Sequence, residues 1–335
     1  MREAQGHKVR RACRTARICP ALGRDPSRPA GAAVTISVTG ATGFVGQALL
    51  DEAERQGVAI RALTRREQAP RKHVQWVRGD LADTKALRTL AKGAEALVHI
   101  AGVVNAPTPA GFEEGNVAGT LAVIEAAVKA GVPRFVHISS LAAREPKLSA
   151  YGASKKRAEQ VVKASGLDWT IVRPPAVFGP RDTEMFELFR AARWGMLPVP
   201  QDGRASLIHV SDLARLLLAL LPGGEDVTHQ IFEPDDGHKG GWSHQDMARA
   251  IGWAVGRRPF VPRLSKPMLL RAAAVDGFFR RGKAKLTPDR VNYMCHPDWV
   301  CAKGKRPPAA RWTPAIDTRE GMRATAAWYR ENKWL

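Results

Sequence analysis

Short apolar runs alternate with longer stretches of helical period from residue 34 to residue 173. The runs at 35–39, 58–63, 74–78, 96–100, 134–138 and 169–172 have the length of strands and are largely apolar on both faces. That predicts buried strands of a parallel sheet. Residues 44–56, 85–92, 112–130 and 151–165 carry apolar positions at helical spacing. Gly57, Gly131 and Gly166 each follow one of these helices, where a left-handed cap residue is expected. Alternation of this kind predicts βαβ units with helices on both faces of the sheet. The fold class is therefore α/β, a doubly wound parallel sheet. After Arg173 the pattern is mixed and punctuated by Pro174-Pro175, Gly179-Pro180 and Pro198-x-Pro200. Helices are expected at 183–194, 211–221, 244–255, 267–279 and 318–332. The division predicted is 1–33 as a basic tail, 34–175 as a dinucleotide-binding domain, and 176–335 mainly as a smaller lid that partly returns to the core.

Glycine placement adds chemistry to this frame. Directly after the first strand the chain reads Thr39-Gly-Ala-Thr-Gly-Phe-Val-Gly46. Gly40 permits a tight turn, Gly43 lets backbone approach a phosphate, and Gly46 lets the following helix pack closely on the strand. Thr42, Phe44 and Val45 complete the loop and helix start, whose free N–H groups and partial positive charge suit a pyrophosphate. At the end of the second strand stand Thr64-Arg65-Arg66, with no acid before Glu67. Arginine there suits a ribose 2′-phosphate, where an acid would hold a free 2′-hydroxyl. Arg65, with Arg66 second, therefore predicts NADP over NAD. Small Ala101 and Gly102 after the fourth strand leave room for a ribose.

A second motif lies about a hundred residues further on. Tyr151 and Lys155 are spaced i and i+4, on one face of a predicted helix. An ammonium near the phenol is expected to lower its pKa and make Tyr151 a general acid/base. The fifth strand runs into Ser139-Ser140, at the strand end where ligands of such sheets bind.

These motifs together resemble the extended short-chain dehydrogenase/reductase family, the NAD(P)-dependent epimerase/dehydratase group that includes 3β-hydroxysteroid dehydrogenases. Gly79-Asp80-Leu81, His99-Ile-Ala-Gly102, Asn116-Val-x-Gly-Thr120, Arg173-Pro174 and His209-Val-Ser-Asp212 match in order. The resemblance implies catalytic Ser140, Tyr151 and Lys155, with Ser139 as a possible substitute for Ser140 and Lys155 also bonding the ribose. It implies Asp80 and Leu81 beside the adenine, and Pro174, Ala176 and Val177 against the nicotinamide. Asn116 is read as a structural residue near the site. Leu141-Ala142 stand where family dehydratases carry an acidic pair, which disfavours water elimination. Three readings follow: an oxidoreductase on a secondary alcohol or ketone of a sterol-like or terpenoid small molecule, a nucleotide-sugar epimerase, or a non-catalytic NADPH-binding structural or sensory protein. The family also suggests a homodimer through the helices at 112–130 and 151–165.

Charge changes the picture in two places. The formal net charge is +20, with Lys and Arg together at 52 against 32 Asp and Glu. The tail holds eight basic residues against Glu3 and Asp25 and lacks a signal-peptide apolar region, so it is expected to be disordered and without function. Residues 266–285 mix Met268, Leu269, Leu270, Val275, Phe278 and Phe279 with Arg271, Arg280, Arg281, Lys283 and Lys285. Two readings stay open there: a core helix with a solvated basic end, or peripheral contact with an anionic membrane. Nothing in the chain matches a nucleic-acid motif, so no nucleic-acid partner is expected. Cys295, His296 and Cys301 lack a fourth ligand at zinc spacing, so no metal is expected. Four cysteines suit a reducing compartment, and the expected location is cytoplasmic, with possible peripheral membrane contact.

Overall fold

The structure is a computed structural model that describes residues 35–280 and 286–335. The basic tail, Cys13, Cys19, Arg281, Lys283 and Lys285 lie outside the described residues. Six strands follow the apolar runs: β1 (Thr35–Thr39), β2 (Ala59–Thr64), β3 (Val74–Arg78), β4 (Ala96–His99), β5 (Arg134–Ile138) and β6 (Asp168–Val172). A seventh strand, Gln230–Phe232, was not foreseen, because three residues give too little periodicity. It pairs with β6 and completes a sheet whose order is this strand, then β6, β5, β4, β1, β2 and β3. Every pairing in this sheet is parallel.

Both faces of the sheet are covered, which is why the central strands carry no alternation. All five residues of β5 and all four of β4 are buried. On one face Leu49 and Leu50 of α1 (Phe44–Gln56) pack with Leu213, Leu216 and Leu217 of the Val210–Ala219 helix against Ile36, Val38 and Val98. On the other, Leu87, Leu90, Val123 and Val162 pack against Leu97, Phe135 and Ile171. The helix expected at 112–130 starts earlier and is not uniform. It runs as α-helix Pro109–Phe112, π-helix Glu113–Ala118 and α-helix Gly119–Lys129. Pro109 at its start and Thr108 accepting from the Gly111 N–H explain the earlier beginning.

The remaining chain builds a smaller mixed layer with its own core of Phe178, Phe189, Trp242, Ile251, Met322 and Tyr329. The short helix Pro288–Met294, absent from the sequence reading, is started by Thr287, whose side chain accepts from the Arg290 N–H.

Asp182 sits in this layer with one carboxylate oxygen bonded to the Glu184 and Met185 N–H groups at 2.8 and 3.3 Å, and the other, Oδ2, unpartnered. Burial pushes its pKa up to about 6. A carboxyl that holds its proton more tightly when folded loses stability as pH rises from about 4 to about 6, and the cost persists above that range. Asp182→Asn keeps the accepting oxygen and removes the charge. The variant is expected to be more stable at pH 7.5, by on the order of 2 kcal/mol, with the gain disappearing as pH falls toward 4. Thermal melts across that range check it, and a gain that persists undiminished at pH 4 would contradict the account.

Candidate active site

Because all seven strands run one way, every loop that follows a strand emerges at the same edge. Gly40–Gly43 follow β1, Arg65 and Arg66 follow β2, Asp80 and Leu81 follow β3, and Ala101 and Gly102 follow β4. Ser139 and Ser140 follow β5, and Pro174 follows β6. The topology thus gathers all the predicted site residues at or just beyond one edge. The strand order reverses between β1 and β4, the position where ligands of open α/β sheets bind.

The glycine loop fits a dinucleotide cradle. Gly40 has φ +73° and lies so close to β4 that a Cβ would stand 2.5 Å from the Ala101 nitrogen. A Cβ on Gly46 would stand 2.2 Å from the Gly40 oxygen, so the close approach that the sequence led us to expect against the strand is made to the turn directly after it. The α1 helix begins at Gly43 with no side-chain cap and no acidic residue in its first turn, leaving its N–H groups for an anion. Phe44, Val45 and Val177 pack on one small cluster, so the helix start and the segment after β6 are held together. Thr42 is exposed on the loop. Arg65 and Arg66 are both exposed beyond β2. Asp80 spends its Oδ1 on the Ala82 and Asp83 N–H groups, a turn-forming role. Leu81 packs on Gly119, where a Cβ would approach its Cδ1 to 2.7 Å.

Ser140, Tyr151 and Lys155 converge. Ser149 caps the Ala150–Lys163 helix through the Gly152 N–H at 2.9 Å, which fixes where Tyr151 begins its first turn. The Tyr151 hydroxyl shares a hydrogen bond with Ser140. Lys155 is buried, and its Nζ donates to the Ile138 carbonyl at 2.7 Å. Burial brings its pKa down to about 8, against the pull of Glu159. Tyr151 departs from expectation. Burial raises its pKa, outweighing the Ser140 hydrogen bond, so the phenol is not acidified by Lys155. The ammonium is directed at the end of β5, and desolvation of the phenolate dominates. A protonated phenol suits a proton donor.

The two serines separate by their partners. Ser139 Oγ donates to Glu159 Oε1 at 2.6 Å and is thereby engaged in the core. Ser140 opens a 3₁₀ turn and meets Tyr151. Asn116 lies in the π-helical segment, a distortion frequent at functional sites. It accepts from the Val103 N–H at 2.7 Å and donates to the Val103 carbonyl and to Ser154 Oγ, both at 2.9 Å. It therefore ties the loop after β4 to the helix of Tyr151. His99 extends the tie. Its Nδ1 lies 2.7 Å from Thr39 Oγ1 and its Nε2 lies 3.0 Å from Thr120 Oγ1. Burial brings the His99 pKa down to about 3, so it is a neutral bridge between β1, β4 and the helical run.

Sequence reasoning missed a buried ionic cluster behind the site. Glu159 is one turn beyond Lys155 and fully buried. Arg173 reaches it with Nε to Oε1 and Nη2 to Oε2, both at 2.7 Å, and reaches Glu233 at 3.3 Å. The spacing Tyr151, Lys155, Glu159 marks one helical face and was the available signal; Arg173 stood out only within the Arg173-Pro174 match, with no partner indicated, and Glu233 gives no signal before folding. The lid also contributes. Asp289 accepts from the Ala150 N–H at 2.8 Å. Burial raises the pKa of Tyr293, from the same short helix, and the neighbouring Tyr151 adds to that rise.

Among the described residues no group of three His, Cys, Asp or Glu could hold a metal, and no helix is long and apolar enough to cross a membrane.

Comparison with known proteins agrees with this geometry. The chain is 38% identical over 320 residues to the "Ceramide reductase" of Caulobacter vibrioides, covering 90% of this chain and 96% of that one. It is 34% identical over 218 residues to the "4-hydroxy-2-methyl-3-oxo-4-farnesyl-3,4-dihydroquinoline-1-oxide ketoreductase" of Stigmatella aurantiaca, covering 56% and 65%. The crystal structure of gox2253 superposes with a TM-score of 0.71 at 26% identity, covering 89% of this chain and 98% of that one. The profile of the NAD dependent epimerase/dehydratase family matches residues 36–232, more than half of the chain, from β1 to the seventh strand of the sheet. The chain thus belongs to the NAD dependent epimerase/dehydratase family and is an NAD(P)-dependent enzyme of its oxidoreductase/epimerase type.

Proposed function

We propose that this chain reduces a ketone on a long-chain, largely apolar molecule to a secondary alcohol, with NADPH preferred over NADH and NADH as the possible alternative. A ceramide-type lipid is the favoured substrate class, and sterol-like and terpenoid ketones are neighbouring ones. The observation that carries the reading is the end-to-end likeness to ceramide reductase, over 96% of that protein. The convergence of Ser140, Tyr151 and Lys155 supports the chemistry.

A bound nicotinamide would supply the hydride. Gly40, Gly43 and Gly46 with the start of α1 would hold the pyrophosphate, and Lys155 the ribose. Tyr151 gives its phenolic proton to the substrate oxygen as that oxygen gains charge, and Ser140 donates a hydrogen bond to the same oxygen. Proton and hydride together convert C=O to CH–OH, so atoms and charge balance.

Two measurements test this. Fluorescence titration with NADPH and NADH is followed by turnover assays on a long-chain keto-amide, a ketosteroid and a nucleotide sugar. NADPH oxidation dependent on the keto-amide is expected. Turnover of the nucleotide sugar alone would favour epimerase chemistry, and tight binding without any turnover would favour a structural or sensory role. For cofactor choice, Arg65→Ala is expected to weaken NADPH about 10–100-fold, the scale of a lost charged hydrogen bond, while leaving NADH nearly unchanged. Equal weakening of both would refute the 2′-phosphate role.

A further inference from the structure

The helix Lys266–Arg280 has two faces, and the fold covers only one. Leu269 and Ala273 are buried at 6% and 2% exposure and pack with Val291 of the Pro288–Met294 helix. Asp276, one turn further along this inner side, accepts from the Leu286 N–H at 3.0 Å. A stripe about a quarter of the way round the helix has the same period. Met268, Ala272, Val275 and Phe279 stand at i, i+4, i+7 and i+11, and all four are exposed. Phe278 and Phe279 are 77% and 78% exposed, Val275 is 56% and Met268 50%. Their two rings meet edge to face at 5.4 Å and present one aromatic edge. Lys266 and Arg271 are exposed on this helix, and its one acidic residue is turned to the inner side.

We infer that this face lies on an anionic membrane surface. An apolar stripe at helical period, two aromatic residues and exposed cations without an exposed acid on the same helix are complementary to an interface of acyl chains under anionic headgroups. A large exposed apolar face of this kind is costly in water and marks an interaction site. The helix is also mechanically close to the chemistry. It packs on Pro288–Met294, which accepts the Ala150 N–H through Asp289 and sets Tyr293 near Tyr151. A lipid entering from the bilayer would meet the site through this pair of helices; that consequence rests on the proposed substrate, whereas membrane docking itself does not.

The test is co-sedimentation of the full chain with vesicles of phosphatidylcholine alone and of phosphatidylcholine with a third of phosphatidylglycerol. Binding to the anionic vesicles is expected, weakened by salt. The double variant Phe278→Ser/Phe279→Ser is expected to lose at least about tenfold in binding. Arg271→Glu, which changes only an exposed charge, is expected to lose severalfold and carries the test if the double variant does not fold. Absence of binding to anionic vesicles, or binding that persists in both variants and so belongs to other basic segments such as residues 1–33, would overturn the inference. So would a dimer in solution that the double variant dissociates without any vesicle binding, because a second copy would then cover the face. Vesicle binding lost while soluble-ketone turnover is retained separates this inference from the proposed activity.

Discussion

Replacing Tyr151 with Phe is expected to lower kcat by about 10²–10⁴-fold, the usual contribution of a positioned general acid, while nicotinamide dinucleotide still binds. The phenylalanine ring keeps the packing against Phe112, whose centroid lies 6.0 Å from that of Tyr151. Only the proton donor and its bond to Ser140 are removed. Under the proposed reading the dinucleotide is held mainly at the other end of the site, by the glycine loop and α1. Stopped-flow turnover with fluorescence titration of the same sample separates the two. If Tyr151→Phe turned over at the wild-type rate, the proton would have to come from another group, and the role given to Tyr151 would be abandoned. Because burial holds the wild-type phenol protonated, reduction is expected to persist at neutral pH and to decline only on the alkaline side.

Arg173→Met is expected to cost about 3–5 kcal/mol of stability, the usual price of stranding a buried ionic partner. At this chain length that is a fall in Tm of roughly 4–7 °C. Arg173 stands between Glu159 and Glu233, each with side-chain exposure of 1%, and its removal strips Glu159 of its paired guanidinium bonds and leaves Glu233 only the longer ionic contact to Arg144 at 3.9 Å. Arg173→Lys keeps the charge but cannot make the paired bonds to Glu159 at 2.7 Å, so an intermediate loss is expected. Calorimetry on the three proteins decides the matter. A Tm within about 2 °C of wild type for Arg173→Met would mean that the cluster adds nothing net.

The cluster also shows why part of the site was legible and part was not. Gly40, Gly43 and Gly46 could be read because glycine is demanded by close backbone approach, and the approaches found are 2.5 Å at Gly40 and 2.2 Å at Gly46 for an added Cβ. Tyr151 and Lys155 could be read because helical spacing places i and i+4 together. The partner of Ser139, the engagement of Arg173 and the nearness of Tyr293 join residues between 14 and about 140 positions apart, and no local pattern records such a pairing. The pKa of Tyr151 was misjudged for the same reason. Spacing reports that a cation is near, whereas the cost of burying a phenolate depends on the whole enclosure.

The sequence by itself determined the order of strands and helices up to Arg173, because parallel strands buried on both faces are continuous apolar runs and their helices carry a 3.6-residue stripe. It also determined which loops share one edge, since a one-directional sheet delivers every strand's end there. Only the tertiary structure decided that Ser140 and not Ser139 faces Tyr151, because Glu159 claims Ser139. It likewise decided which side of Lys266–Arg280 is covered. Both of its faces are apolar, and composition cannot distinguish the stripe that meets Val291 from the one left to the surroundings.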